Sequence, residues 1–494
     1  MLPLDLVWLL LAATVFAVGA FCLLTLYNLF FHPLRSYPGP WYTGASILWY
    51  QLHVFKGDLP FVIHSIHRQY GPVVRIAPNE LSYTDVRAWK DIYGHRLGVP
   101  EFAKDPSQNF EGHAHPSIIH ANREQHAALR RLLSHAFSDK SLREQEPVLH
   151  SYVHMLIERL RENSESGSKA LDLVNWYNFT TFDIIGHLAF AEPFDCLSSS
   201  AYHPWVSLIY DTIKFVTFLR ALNRFHGSIA GFLQQLIPDS LRRKKDDNWQ
   251  MTKEKVLRRR AKNLDYTDFM TPLLTAEEKG VLDLEDLISN GPTLVVAGSE
   301  TTATLLSGAT FYLLSDKSVY ARVTGEIRSA FQSRSEITLQ RIAELKYLFA
   351  FLDESLRMYP PAANNHPRRL PRQGATIAGR YVPGDAMVGI NQYAMFRSPN
   401  NFHQPDRFLP ERFLDKDDQR WSNDQREALQ PFSFGPRNCI GRNLAYMEMR
   451  LIMTELLWNF DLELMPESKD WSDQKVFTVW EKKPLFVNLT PVRR

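Results

Sequence analysis

Between Leu6 and Phe31 every position is uncharged, and Leu, Val, Ala and Phe fill most of them. A helix of about 20 apolar residues crosses a bilayer, so the pattern predicts a transmembrane anchor over residues 1–31. Asp5 precedes the run and the first arginine, Arg35, follows it. That is the reverse of a cleavable signal peptide, and the positive-inside tendency then sets the rest of the chain on the cytoplasmic side. Residues 32–41 hold Pro33, Pro38 and Pro40 and read as a stiff, extended hinge. Val73–Pro78 and Glu80–Tyr83 read as short strands broken at Pro78 and Asn79. Helical spacing prevails from about 122 to 360, after which Pro- and Gly-punctuated short strands follow, as in 375–384. Leu294 to Leu314 reads as a buried helix, with a kink expected near its start at Pro292. The pattern predicts a mainly α chain with a small β-rich part, an α+β domain over 42–494.

Composition narrows the picture. The chain has 494 residues, 45% of them apolar, and a formal net charge of +2, which gives no reason to expect a nucleic-acid partner. Its three cysteines, Cys22, Cys196 and Cys439, are too widely spaced for a disulfide framework or a Cys-x-x-Cys zinc site. Cys439 stands out by its neighbours, Phe432-Ser-Phe-Gly435-Pro-Arg437-Asn-Cys439-Ile-Gly441. Ile440, Leu444, Met447 and Leu451 follow with helical spacing, so the thiol is expected at or just before a helix N-terminus, where amide donors favour an anionic sulfur. Gly435 and Gly441 allow positive φ and the approach of a flat group to the main chain.

The pattern Phe-x-x-Gly-x-Arg-x-Cys-x-Gly resembles the cysteine loop of the cytochrome P-450 family, the haem-thiolate monooxygenases, with every position filled. The resemblance runs from the proline hinge to the C-terminus. It implies that fold, a haem b cofactor, Cys439 as the iron ligand, Phe432 packed beside the haem, Gly435 and Gly441 shaping the loop, and Arg437 on a haem propionate. A thiolate ligand pushes electron density onto the iron and favours O–O cleavage.

Ala297-Gly298-Ser299-Glu300-Thr301-Thr302 lies inside the apolar helix. Buried polar side chains are costly unless satisfied, so water or a ligand is the expected neighbour. Thr301 can bond the carbonyl four residues back and, with Gly298, open room for a small molecule. Read alone, the stretch is equally a helix with back-bonded hydroxyls and a surface glutamate. The resemblance assigns Thr301 and Glu300 to oxygen activation and proton supply. It likewise joins Glu354, Arg357 and Arg412 into a buried network behind the haem, although an i,i+3 Glu–Arg pair is by itself an ordinary surface bridge. Arg130 and His126 share one side of a helix and, with Arg368, match propionate contacts. Many family members carry tryptophan at the position of His126, and Arg369 competes with Arg368. His113, His115 and His120 read as ordinary loop histidines without an acidic partner in sequence.

No Gly-x-Gly-x-x-Gly follows a strand, so electrons must come from elsewhere. The resemblance implies NADPH as donor through a separate membrane-bound cytochrome P-450 reductase, with cytochrome b5 a candidate second partner. Arg130, Arg131 and Arg442 offer a basic docking face. It also implies a single-pass protein of the endoplasmic reticulum membrane. Substrate contacts are expected in 95–120, in 200–230 with Phe215, Phe218 and Phe225, and from Phe477 to Trp480, which suits a lipophilic small molecule. Segments such as Arg75–Ser82 and Arg130–Ser138 look similar to filamentous-fungal members that tailor secondary metabolites, the isotrichodermin hydroxylase group among them. A terpenoid or polyketide is then hydroxylated or epoxidised. Two rivals are a reductase-independent haem-thiolate isomerase or dehydratase, and a membrane-tethered haem- or lipid-binding protein that catalyses nothing.

Overall fold

Helix α1, Leu4–Phe30, takes up the N-terminal apolar run. Its segment Asp5–Phe30 has mean hydropathy 2.5, and its most apolar window is covered nowhere by the rest of the chain. A helix this apolar and this bare calls for an apolar medium, so it is a candidate membrane anchor. The computed structural model describes residues 4–95, 100–105, 115–225, 227, 231, 235, 239–264, 266–415 and 417–493.

The proline-rich segment that follows is turned rather than extended. Arg35 N donates to His32 O at 3.0 Å and Tyr37 N to Leu34 O at 3.1 Å. Proline's fixed φ suits a turn corner as well as a spacer, and burial of Leu34 and Tyr37 decides between them. Arg75 ties the end of α1 to the body of the protein, donating to Asn28 O at 3.0 Å and from two nitrogens to Pro78 O.

Five short strands build the main sheet: β1 Val73–Ala77, β2 Glu80–Tyr83, β3 Ala103–Lys104, β4 Arg368–Arg369 and β5 Met387–Ile390. Their order is β1–β2–β5–β4–β3. Only β2 and β5 pair in parallel, Glu80 opposite Met387. The antiparallel β3–β4 register sets Lys104 opposite Arg368. Among the described residues the rest is dominated by helices. Those that position the site are α2 Arg123–Ser134, α3 Leu173–Phe190, α4 Pro204–Asn223, α5 Leu284–Ser315, α6 Lys346–Met358 and α7 Arg442–Asn459. Near the C-terminus β6 Lys475–Val476 and β7 Trp480–Glu481 form a hairpin.

Helix α5 runs through the core against α3, α6 and α7. It starts at Leu284 rather than near Leu294, because Asp283 and Asp286 close a reciprocal capping box over its first amides. Pro292 lies within the continuous helix. Gly298 does not open room for a ligand: a Cβ there would stand 2.6 Å from Ile185 Cδ1 of α3, so the glycine serves close helix–helix contact.

Candidate active site

The cysteine loop is held by its own backbone. Cys439 N donates to Phe432 O at 2.8 Å, which closes the loop into a hairpin-like return. Gly435 has φ +75°, and a Cβ on it would fall 1.8 Å from Tyr93 O, so only glycine fits there. Phe432 is half-buried, its ring 5.3 Å from that of Tyr446 on α7. Helix α7 begins at Arg442, so Cys439 stands ahead of the helix and only Gly441 intervenes with its amide. The Cys439 residue is exposed, while desolvation by the surrounding protein raises the pKa of its thiol. The Gly441 amide, Arg130 and Arg442 pull the other way without reversing that rise.

Arg130 reaches this loop from α2. Its Nη2 donates to Asn438 Oδ1 at 2.6 Å and its Nη1 to Asn438 O. The chain thus uses Arg130 to grip the residue before the cysteine. His126, one turn earlier on α2, is buried, and burial with the nearby Arg437 lowers its pKa to about 4. Arg437 donates to Glu101 Oε1 at 2.8 Å and to Ala121 O at 3.0 Å. The β4 pleat sends Arg368 and Arg369 to opposite sides. Arg368 is buried with its guanidinium over the Tyr93 ring, whereas Arg369 faces out to Asp385.

Lys104, which sequence reading missed, joins this group. Its ammonium donates to Ile119 O, and burial together with Arg368, Arg437 and Arg220 pushes its pKa down to about 7. Like charges directly opposite across a ladder destabilise it, and Lys104 faces Arg368. Among the described residues Glu101 is the carboxylate set against Lys104, Arg368, Arg437 and His126. Two enclosed guanidiniums, Arg368 and Arg437, set against one carboxylate fit a group carrying more than one carboxylate, as haem does.

Glu354, Arg357 and Arg412 do meet, all fully buried. Glu354 accepts two hydrogen bonds from Arg357, at 2.7 and 2.8 Å, and an Arg412 ion pair at 3.2 Å. Arg357 also donates to the carbonyls of Phe396, Pro405 and Arg407, and Arg412 to Asp424 at 2.5 Å. These bonds lash α6 to the segment that leads into the cysteine loop.

On α5, Thr301 Oγ1 donates to Ala297 O at 2.7 Å, as expected. Glu300 does not face the surface. It is 1% exposed and pairs with Lys482, the residue after β7. A buried carboxylate needs a compensating cation, and here the chain itself supplies one. His115 has acidic partners after all, Asp283 and Asp286 at 3.3 and 3.2 Å, contributed by the start of α5. His120 meets Arg220 at 3.1 Å. His113 and much of the 95–120 stretch lie outside the described residues.

The cytochrome P-450 family profile matches residues 37–489. This chain belongs to the cytochrome P-450 family. Among curated relatives, the cytochrome P-450 monooxygenase astA of Talaromyces wortmannii is 46% identical over 468 residues, 94% of each chain. A cytochrome P-450 monooxygenase of Aspergillus oryzae, aclL, is 44% identical over 95% of this chain and 96% of its own. The averantin hydroxylase of Dothistroma septosporum is 43% identical over 97% of this chain and 92% of its own. The P-450 described here is therefore a monooxygenase of the fungal secondary-metabolite type, and its family carries haem on a cysteine thiolate.

Proposed function

We propose that this P-450 hydroxylates or epoxidises a lipophilic small molecule, a terpenoid or a polyketide, in fungal secondary metabolism. The observation that carries the reading is the loop of Cys439, fixed by Arg130 beside the enclosed guanidiniums of Arg368 and Arg437 and the half-buried Lys104. Cys439 is the iron ligand. Arg437, Arg368 and Lys104, with His126, face the two haem carboxylates, and Glu101 holds Arg437 in position. The Glu354–Arg357–Arg412 network keeps the loop in place from behind, and Gly435, Gly441 and Phe432 shape the side the porphyrin meets. Bound there, haem supplies reductive activation of O2, one oxygen atom passing to the substrate and the other leaving as water, at the expense of NADPH and a proton. Thr301 holds its hydroxyl on the Ala297 carbonyl, and Glu300 supplies protons through the helix.

Electrons come from NADPH through a separate reductase, with cytochrome b5 as an accessory donor; the exposed Arg131 and Arg442 offer the docking charge. Helix α1 anchors the protein in the endoplasmic reticulum membrane with its body toward the cytoplasm. Phe218 packs at 5.6 Å against Phe477, so aromatic rings from α4 and the C-terminal hairpin meet where a lipophilic substrate is expected. The likeness to an averantin hydroxylase supports hydroxylation. Retention of Thr301 and Glu300 argues against the reductase-independent isomerase.

The test is turnover of the full-length protein with a fungal reductase, NADPH and isotopically labelled O2 against a panel of terpenoids and aromatic polyketides. A product one labelled oxygen heavier, absent without reductase, supports the reading. Conversion without NADPH and without label contradicts it.

A further inference from the structure

The partner of Glu300 arrives from far along the chain. Lys482 Nζ donates to Glu300 Oε1 and, at 2.8 Å, to Thr304 Oγ1, while Thr304 Oγ1 donates to the same Glu300 Oε1 at 3.1 Å. Both side chains are almost fully enclosed, 4% and 1% exposed. The second carboxylate oxygen, Oε2, is buried and has no hydrogen-bond partner among the described residues. One oxygen is thus clamped and the other is left with its lone pairs unclaimed. The ionisable neighbours from other elements are Tyr202, just ahead of α4, and Tyr359, just after α6; burial, with the Glu300 charge adding to it, raises the pKa of both hydroxyls. Glu448 of α7 meets α5 two residues on, at Thr302. Among these groups Lys482 is the cation that contacts Glu300.

The lysine is itself firmly placed. Trp480 Nε1 donates to Pro360 O at 2.8 Å and its ring stacks on Tyr359 at 4.1 Å. Thr478 bonds Thr217 of α4 at 2.6 Å, and Glu481 pairs with Lys214 of α4 at 2.6 Å. A side chain on so fixed a segment has little freedom to leave its partner.

We propose that Lys482 is a positioning residue for proton supply: it sets a counter-charge against the buried Glu300 carboxylate and fixes Oε1, so that Oε2 alone receives and passes protons. The inference rests on the reading of Glu300 as the proton-supplying acid. A buried carboxylate left without a counter-charge favours its protonated form. A purely structural lysine would hold the C-terminal segment without governing that protonation state.

The test compares full-length wild type with Lys482→Met, Lys482→Arg, Glu300→Gln and the Lys482→Met/Glu300→Gln double variant. The first readout is the infrared C=O stretch of a protonated carboxyl at neutral pH. The second is hydrogen peroxide released per NADPH consumed with reductase and no added substrate. Lys482→Met is expected to gain a carboxyl band that the double variant lacks and Lys482→Arg does not show, and to raise the peroxide fraction as far as Glu300→Gln does. If Glu300→Gln raises that fraction but Lys482→Met shows neither change, Lys482 is only structural and the inference falls. If Glu300→Gln leaves the fraction at the wild-type value, the reading of Glu300 itself fails, whatever Lys482 does.

Discussion

Arg130 donates from Nη2 to Asn438 Oδ1 at 2.6 Å, and from Nη1 to the Asn438 carbonyl, so α2 is bonded to the residue immediately before Cys439. A charge-assisted hydrogen bond contributes about 1.5–3 kcal/mol. Arg130→Ala is therefore expected to lower haem retention during gel filtration more than it lowers the unfolding midpoint, with Arg130→Lys intermediate because an ammonium cannot reproduce the forked geometry. Equal retention in Arg130→Ala and wild type would remove this residue from the account.

The Glu354 network makes a sharper stability prediction. Removing one partner of a buried ion pair strands the other, at a cost of about 3–5 kcal/mol. Glu354→Ala strands Arg357 and weakens Arg412, which keeps Asp424. Denaturant unfolding should show a loss in that range, or no soluble protein. Arg412→Lys, which retains charge near Asp424, should lose less. A change for Glu354→Ala within about 0.5 kcal/mol, the range of ordinary surface substitutions, would show that the pairs carry no weight.

Glu448 on α7 gives a pH dependence of unusual sign. Burial pushes its pKa up to about 8, with the Thr302 hydroxyl only partly offsetting it, and neither oxygen has a partner of ordinary hydrogen-bond geometry. The folded state holds this proton up to about pH 8, whereas an exposed glutamate releases it near pH 4.3. Between those values the folded state binds more protons than the unfolded one, so stability falls as pH rises and levels off above the folded value. The fall amounts to a few kcal/mol, at about 1.4 kcal/mol per unit. Glu448→Gln should flatten the slope measured by urea unfolding at pH 5, 6.5 and 8. An unchanged slope would place the titration elsewhere.

Much of this architecture was legible in the sequence because it depends on local spacing. Strands β1 and β2, the short strands at 375–377 and 380–382, the buried run of α5 and the helix after Cys439 all follow from period and punctuation. The site was legible as residue types: Cys439 in its glycine-flanked loop, Thr301 with its back-bond, and Glu354 with Arg357 one turn apart. What escaped were partners separated by long stretches of chain. Nothing near Glu300 announces Lys482, nothing near Arg437 announces Glu101, and Arg412 gives no hint of Asp424, because each pair is made by folding rather than by spacing. The same holds for His115 and the two aspartates that open α5. Lys104 was overlooked for a related reason: only the β3–β4 register sets it against Arg368 and so places an ordinary lysine in a cluster of cations. Gly298 was misread because a glycine in a helix looks the same whether its open side meets a ligand or, as here, Ile185.

The central claim is that the Cys439 sulfur holds a haem iron. The most direct measurement is the absorption spectrum of the reduced, carbon monoxide-bound, full-length protein beside Cys439→Ala. The account predicts the red-shifted Soret band of a thiolate-ligated haem in the wild type and its absence in the variant. A purified wild type without porphyrin, or the same band surviving in Cys439→Ala, would contradict it.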